Sequence, residues 1–148
     1  MTFDVAIEME VKSFSNLSEA PITRLFVYGT LQRSDPSGKA ALLGRTRLLG
    51  RGKVSAQLYN LGDYPGAVPV EPGDGWVSGD VHELDDFATQ IHALDLYEGC
   101  APTDPEPYEY RRELTSIAME DGETITAWIY WYRGAITGLQ RIRSGDWL

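Results

Sequence analysis

One helix-forming segment stands among several runs of strand-forming residues, and that proportion limits the folds open to the chain. In DDFATQIHALDLYEG (Asp85–Gly99), Phe87, Ile91 and Leu94 recur at helical spacing. Asp85 is placed to cap the N-terminus, and Asp86 suits a first turn where the helix dipole favours negative charge. Gly99 can end the helix in the left-handed region. Around this segment lie RLFVY (Arg24–Tyr28), RGKVSAQLYNLG (Arg51–Gly62), WVSGDVHEL (Trp76–Leu84), YRRELTSIAM (Tyr110–Met119) and TITAWIYWY (Thr124–Tyr132). These runs combine β-branched and aromatic residues in the way strands do. Asp121-Gly122 is a hairpin turn between the last two. Near the start, Val5, Ile7, Met9 and Val11 alternate with polar residues, as in an amphipathic strand. Ser34–Gly44 reads as a loop leading to a short helical turn. Asp63–Gly75, with three prolines and three glycines, reads as mostly irregular. The tail RIRSGDWL is expected to pack through Ile142 and Trp147. Five or six strands with one late helix do not alternate regularly. The expected class is α+β: a small, mostly antiparallel barrel or curled sheet with the helix against it.

A chain of 148 residues is enough for one domain with a substantial core. Residues 24–148 are expected to form that domain, with 1–23 an extension or an extra edge strand. The formal net charge of −9 repels phosphate backbones and argues against nucleic acid as a partner. The single cysteine, Cys100, rules out an internal disulfide framework and cysteine-based zinc sites. It fits a reducing, cytoplasmic setting. The N-terminal stretch MTFDVAIEMEVKSF lacks the pattern of a signal peptide, and no apolar run is long enough to span a membrane.

Two places invite a chemical reading. Glu98 continues the apolar stripe of Phe87, Ile91 and Leu94. A carboxylate on that face either points toward a pocket, where desolvation makes it more basic, or reaches solvent from a fraying last turn. In FVYGTL (Phe26–Leu31) an apolar strand stops at a glycine with no ordinary hairpin turn. Gly29 then either bends the chain or lets a ligand approach backbone N–H groups.

FVYGTL, LYNLGDYPG (Leu58–Gly66), LDLYEG (Leu94–Gly99) and YRRE (Tyr110–Glu113) occur in that order. Together with the SGDW tail, they resemble the gamma-glutamylcyclotransferase-like superfamily, which includes AIG2-like proteins and the enzyme that removes a gamma-glutamyl cap in butirosin biosynthesis. The resemblance covers roughly Arg24 to Trp147. It implies a small mixed β-barrel with outer helices and a cavity at one end. It also implies conversion of a gamma-glutamyl amine or small peptide into 5-oxoproline and a free amine, with no metal or organic cofactor. The family's catalytic glutamate matches Glu98, and its substrate loop matches Tyr28, Gly29, Thr30 and Leu31. Asp63, Tyr64, Pro65 and Gly66 match a segment near the substrate; the competing reading is a rigid surface turn. Tyr110 is expected to bond Glu98 or the substrate, while Arg112, on the same strand face, fits an ion pair in a structural network. The extension 1–23 falls outside the pattern, where it can cover the cavity or mediate assembly into a homodimer.

Other features read as structural. Cys100 adjoins Glu98, but neither His82 nor His92 has a context that makes it a partner for thiol catalysis or a metal. Trp128, Tyr130 and Tyr132 share a strand face without clustered basic residues, which fits a core or pocket wall. The acidic groups Asp85-Asp86 and Asp104–Glu109 read as solvated surface. Besides the cyclotransferase reading, two others stay open: a different gamma-glutamyl amide lyase or amidohydrolase on the same fold, and a noncatalytic small-ligand binding module.

Overall fold

The computed structural model describes residues 21–148. The expected strand around Val5–Val11 and nearly all of the 1–23 extension lie outside the described residues. The elements follow in the order β1 (Arg24–Val27), a 3-10 turn (Lys39–Leu43), β2 (Thr46–Asn60), β3 (Pro65–Pro69), β4 (Trp76–Leu84), α1 (Phe87–Tyr97), β5 (Tyr110–Met119), β6 (Thr124–Tyr132) and β7 (Gln140–Ile142).

The strands form one sheet in the order β3-β2-β4-β1-β6-β5, with β7 also paired to β2. The pairings are antiparallel except β1 with β6, where Leu25 lies opposite Trp128 in parallel. A further pairing sets Gly52 opposite Met119 and Lys53 opposite Ala118, joining β2 to β5. That contact closes β2-β4-β1-β6-β5 into a barrel. The 15-residue β2 makes closure possible. Its first part pairs with β4, its last part from Ala56 pairs with β3, and a register irregularity between Leu48 and Gly50 bends it. The α+β class, the mostly antiparallel barrel and the peripheral helix are as the sequence predicts.

Burial explains the unbroken apolar run of β1. Phe26 joins the barrel interior with Val54, Leu58, Val81, Ile117 and Ile129, whereas Leu25 and Val27 face a second cluster with Leu84, Ile91, Leu94 and Tyr130. A strand covered on both faces has no polar side to show. On α1, Ile91 and Leu94 are the buried residues, and each contributes about 1.5–3 kcal/mol through apolar burial. Ile142 and Trp147 of the tail pack against the interior cluster, as expected.

Three local expectations are corrected or refined. β2 begins at Thr46, not Arg51, because its early residues, Thr46 to Gly50, pair along β4. Asp63–Gly75 is mostly irregular as expected, but it holds one strand the sequence does not suggest: Pro65–Pro69 pairs with β2 at the sheet edge, where a proline costs no ladder bond. The cap of α1 is Asp86 rather than Asp85, and its carboxylate makes no capping bond. Instead Gln90 Oε1 accepts the Asp86 N–H at 2.6 Å, while Gln90 Nε2 donates to the carbonyls of Leu43 and Arg45 at 2.8 and 2.7 Å. One side chain thus caps the helix and ties it to the 3-10 turn.

Candidate active site

Glu98 is the residue after the last turn of α1, and the end of that helix is firmly closed. Glu98 N–H donates to Leu94 O at 2.8 Å, Gly99 N–H to Leu96 O at 3.2 Å and Cys100 N–H to Asp95 O at 2.9 Å. Gly99 has φ 75°. This is a Schellman closure, which glycine adopts without steric cost. It fixes the direction in which Glu98 leaves the helix.

One turn earlier, Asp95 clamps the helix to the sheet. Its carboxylate accepts from Arg112 Nε and Nη2 at 2.8 and 3.0 Å and from the Tyr130 hydroxyl at 2.7 Å. The Arg112 guanidinium also lies 4.4 Å from the centre of the Trp128 ring. Arg112 therefore holds the ion pair its strand position suggests.

Glu98 lines a cavity of about 280 Å³, near the lower end of ligand-pocket sizes. The same cavity is lined by Tyr28, Gly29, Thr30 and Leu31, and by Tyr64, Pro65 and Tyr110. Of the two readings of Glu98, the pocket-facing one describes its position. Its pKa is pushed up to about 7, first by burial, then by the charges of Glu109 and Asp95. Among the described residues no hydrogen bond or ion pair engages its carboxylate.

The tyrosines around it are neutral fixtures. The Tyr28 hydroxyl donates to Tyr130 O at 2.7 Å and accepts the Ala67 N–H at 3.1 Å. Tyr110 donates to Pro65 O at 2.7 Å, so the expected bond from Tyr110 to Glu98 is not made. Burial raises the pKa of both phenols well above their ordinary value, and both stay protonated. Gly29 has an ordinary backbone; a Cβ there would meet Pro65 Cδ and Cγ at 2.9 Å.

Two residues of the expected loop are not in the cavity wall. Asp63 is exposed. Gly66 is buried against Tyr132, whose Cβ and Cγ a side chain would meet at 2.7 Å. The loop presents only Tyr64 and Pro65, since β3 begins at Pro65 and turns its neighbours elsewhere.

Glu109 was expected on solvated surface. It is exposed, yet it lines the cavity mouth and accepts from the Tyr64 hydroxyl at 2.8 Å. Its place directly before β5 is the one signal the sequence offers, since Tyr110 is already in the wall. Lys39, at the start of the 3-10 turn, also lines the cavity, with no motif to mark it.

Cys100 is half-buried, and its thiol is pushed up to about 11 by burial, then by Asp95 and Glu98. A thiol so held is a poor nucleophile. His82 is buried elsewhere, with Nδ1 2.9 Å from Thr46 Oγ1.

A small closed barrel with a carboxylate and a backbone turn lining one cavity defines a class of proteins. The profile described as "Gamma-glutamyl cyclotransferase, AIG2-like" matches residues 25–148. The chain is 36% identical over 127 residues to the gamma-glutamylcyclotransferase family protein YtfP of Escherichia coli, covering 84% of this chain and 96% of that one. The solution structure of the E. coli protein superposes with TM-score 0.58 at 38% identity, over 84% of this chain and 96% of that one. An AIG2-like protein from Mus musculus gives TM-score 0.60 at 26% identity, over 82% and 86%. YkqA from Bacillus subtilis gives 0.63 at 25% identity, over 84% of this chain but 39% of that longer one. The chain belongs to the AIG2-like gamma-glutamylcyclotransferase family.

Proposed function

We propose that the protein cyclises a gamma-glutamyl amine, releasing 5-oxoproline and the free amine. The glutamyl α-nitrogen attacks its own γ-carbonyl carbon, the new ring C–N bond forms, and the C–N bond to the leaving amine breaks. Net, two protons leave the α-nitrogen and two arrive on the departing nitrogen. One passes through Glu98 and the other through solvent, and no water is consumed.

The observation that carries this reading is the Glu98 carboxyl: unpaired among the described residues, in a cavity, with a pKa near neutrality. A group so poised takes a proton from the attacking nitrogen and returns it to the leaving one. Attack within one molecule needs chiefly a bound, folded pose, which a cavity of this size can impose. The N–H groups of the Gly29–Leu31 turn are the donors suited to the oxyanion of the tetrahedral intermediate. Family membership supports the same chemistry.

The test is release of 5-oxoproline from a panel of gamma-glutamyl amines by the wild-type protein and by Glu98→Gln. The wild type should act on at least one amine and the variant on none. Equal release by both removes Glu98 from the chemistry, and no release by the wild type across the panel favours a binding module.

A further inference from the structure

We infer that Gln32 is a positioning residue: from behind the Tyr28–Leu31 turn it holds two peptide units so that their N–H groups face the cavity. The inference rests on the cyclisation proposed above and gives the turn a cause.

Gln32 is 0% exposed. Its Nε2 donates to the carbonyls of Tyr28 and Gly29 at 2.8 and 3.2 Å, and its backbone N–H also donates to the Gly29 carbonyl, at 3.1 Å. In a planar trans peptide the C=O and N–H point in opposite directions. The two peptides whose carbonyls Gln32 collects are Tyr28-Gly29 and Gly29-Thr30. Their N–H groups, on Gly29 and Thr30, therefore point away from Gln32. Gly29 and Thr30 line the cavity, and Gln32, fully buried, is not among its lining residues. Among the described residues, no protein acceptor takes either N–H. Two fixed donors facing one hollow suit an oxygen that gains negative charge.

Gln32 is itself fixed. Arg51 Nη1 donates to its Oε1 at 2.6 Å and to Asp80 Oδ1 at 3.0 Å. Asp80 is 4% exposed, and its Oδ2 accepts the Arg33 N–H at 2.7 Å. Arginine only donates, so it sets which end of the amide is oxygen and leaves Nε2 for the turn. The chain of contacts runs from β4 through β2 to the turn and back to the residue after Gln32. A carboxylate at position 32 keeps the Arg51 contact but cannot donate to the two carbonyls. The Tyr28 carbonyl then has lost its donor and the Gly29 carbonyl keeps only the backbone N–H of residue 32, so the Tyr28-Gly29 peptide can flip and aim its carbonyl oxygen at the cavity.

The experiment has two parts. In Gln32→Glu, kcat for 5-oxoproline release should fall on the order of 100-fold, the size typical of a lost oxyanion donor. KM should stay within about threefold, as for a contact made only in the transition state. In the wild-type protein, amide hydrogen exchange should be fast at Gly29 and Thr30 and slow at Gln32. Protection of the Gly29 and Thr30 amides, or a Gln32→Glu enzyme with wild-type kcat, overturns the proposal. If the wild type releases no 5-oxoproline, the cyclisation reading falls, while exchange in the wild type still decides which way the turn faces. The exchange measurement also stands if Gln32→Glu does not fold.

Discussion

Arg112 lays two nitrogens of its guanidinium on the carboxylate of Asp95, three residues before Glu98 on the same helix. The pair is mostly enclosed, with side-chain exposures of 23% and 15%. It ties the end of α1 to β5, and so fixes where Glu98 enters the cavity. Breaking such a pair from one side leaves the other charge without a partner. Asp95→Asn should lower stability by about 3 kcal/mol. Arg112→Lys keeps the charge but loses the two-pronged contact and the stacking on Trp128, and should cost less. Urea midpoints at constant m-value would measure both. Equal midpoints for Asp95→Asn and wild type would show the clamp to be dispensable.

The acid limb of the rate profile should report Glu98. Its pKa is raised to about 7, so the carboxylate form, the base, becomes the major form only above that pH. kcat/KM should therefore climb with pH through about 7. Burial is the largest cause, followed by the charge of Glu109. Glu109→Gln removes that second cause, and the limb should move to lower pH without being abolished. A limb that stays in place in Glu109→Gln would separate the two carboxylates electrostatically.

Glu98 should also cost the fold something at high pH. The folded protein keeps the Glu98 proton up to about pH 7, whereas the unfolded chain releases it near 4.5. The folded state thus binds more protons between those values, and stability falls as pH rises through that window. The loss is at most about 3 kcal/mol, since part of the side chain meets water. Glu98→Gln, neutral throughout, should melt higher than wild type at pH 8 and about equally at pH 4. A variant less stable at pH 8 would mean that the carboxylate has a partner in the fold.

Much of the barrel was legible because its burial pattern is written in side chains. β4 and the β5–β6 hairpin match the sequence reading because alternation and an Asp-Gly turn set their limits. β3 and β7 were hidden because a five-residue strand with prolines at both ends and a three-residue strand have little periodicity. Their strand character comes from pairing with β2, which is a tertiary fact. Within the site, Glu98 stood out as a charge on an apolar stripe, and the Gly29 turn as an abrupt stop. Glu109, Lys39 and Gln32 did not, because a polar residue in a loop looks the same whether it faces water, a cavity or the back of a turn. Only Arg51 and Asp80, 19 and 48 residues beyond Gln32, reveal what its amide does.

Gly29 offers a test that separates packing from ligand approach. Its backbone is not in the left-handed region, so alanine is not strained there by conformation. The obstacle is Pro65, whose ring carbons would sit 2.9 Å from a new Cβ. Pro65 is buried and its carbonyl accepts the Tyr110 hydroxyl, so the ring cannot retreat freely. Gly29→Ala should destabilise by roughly 1–3 kcal/mol through overpacking. Adding Pro65→Ala removes the obstructing carbons, and the double variant should be more stable than the sum of the single effects predicts. If the cavity also needs the bare backbone at Gly29, the double variant regains stability but not 5-oxoproline release. If packing is the whole reason for glycine, both recover together. Strict additivity of the two substitutions in thermal melts would mean that Pro65 does not exclude a side chain from Gly29.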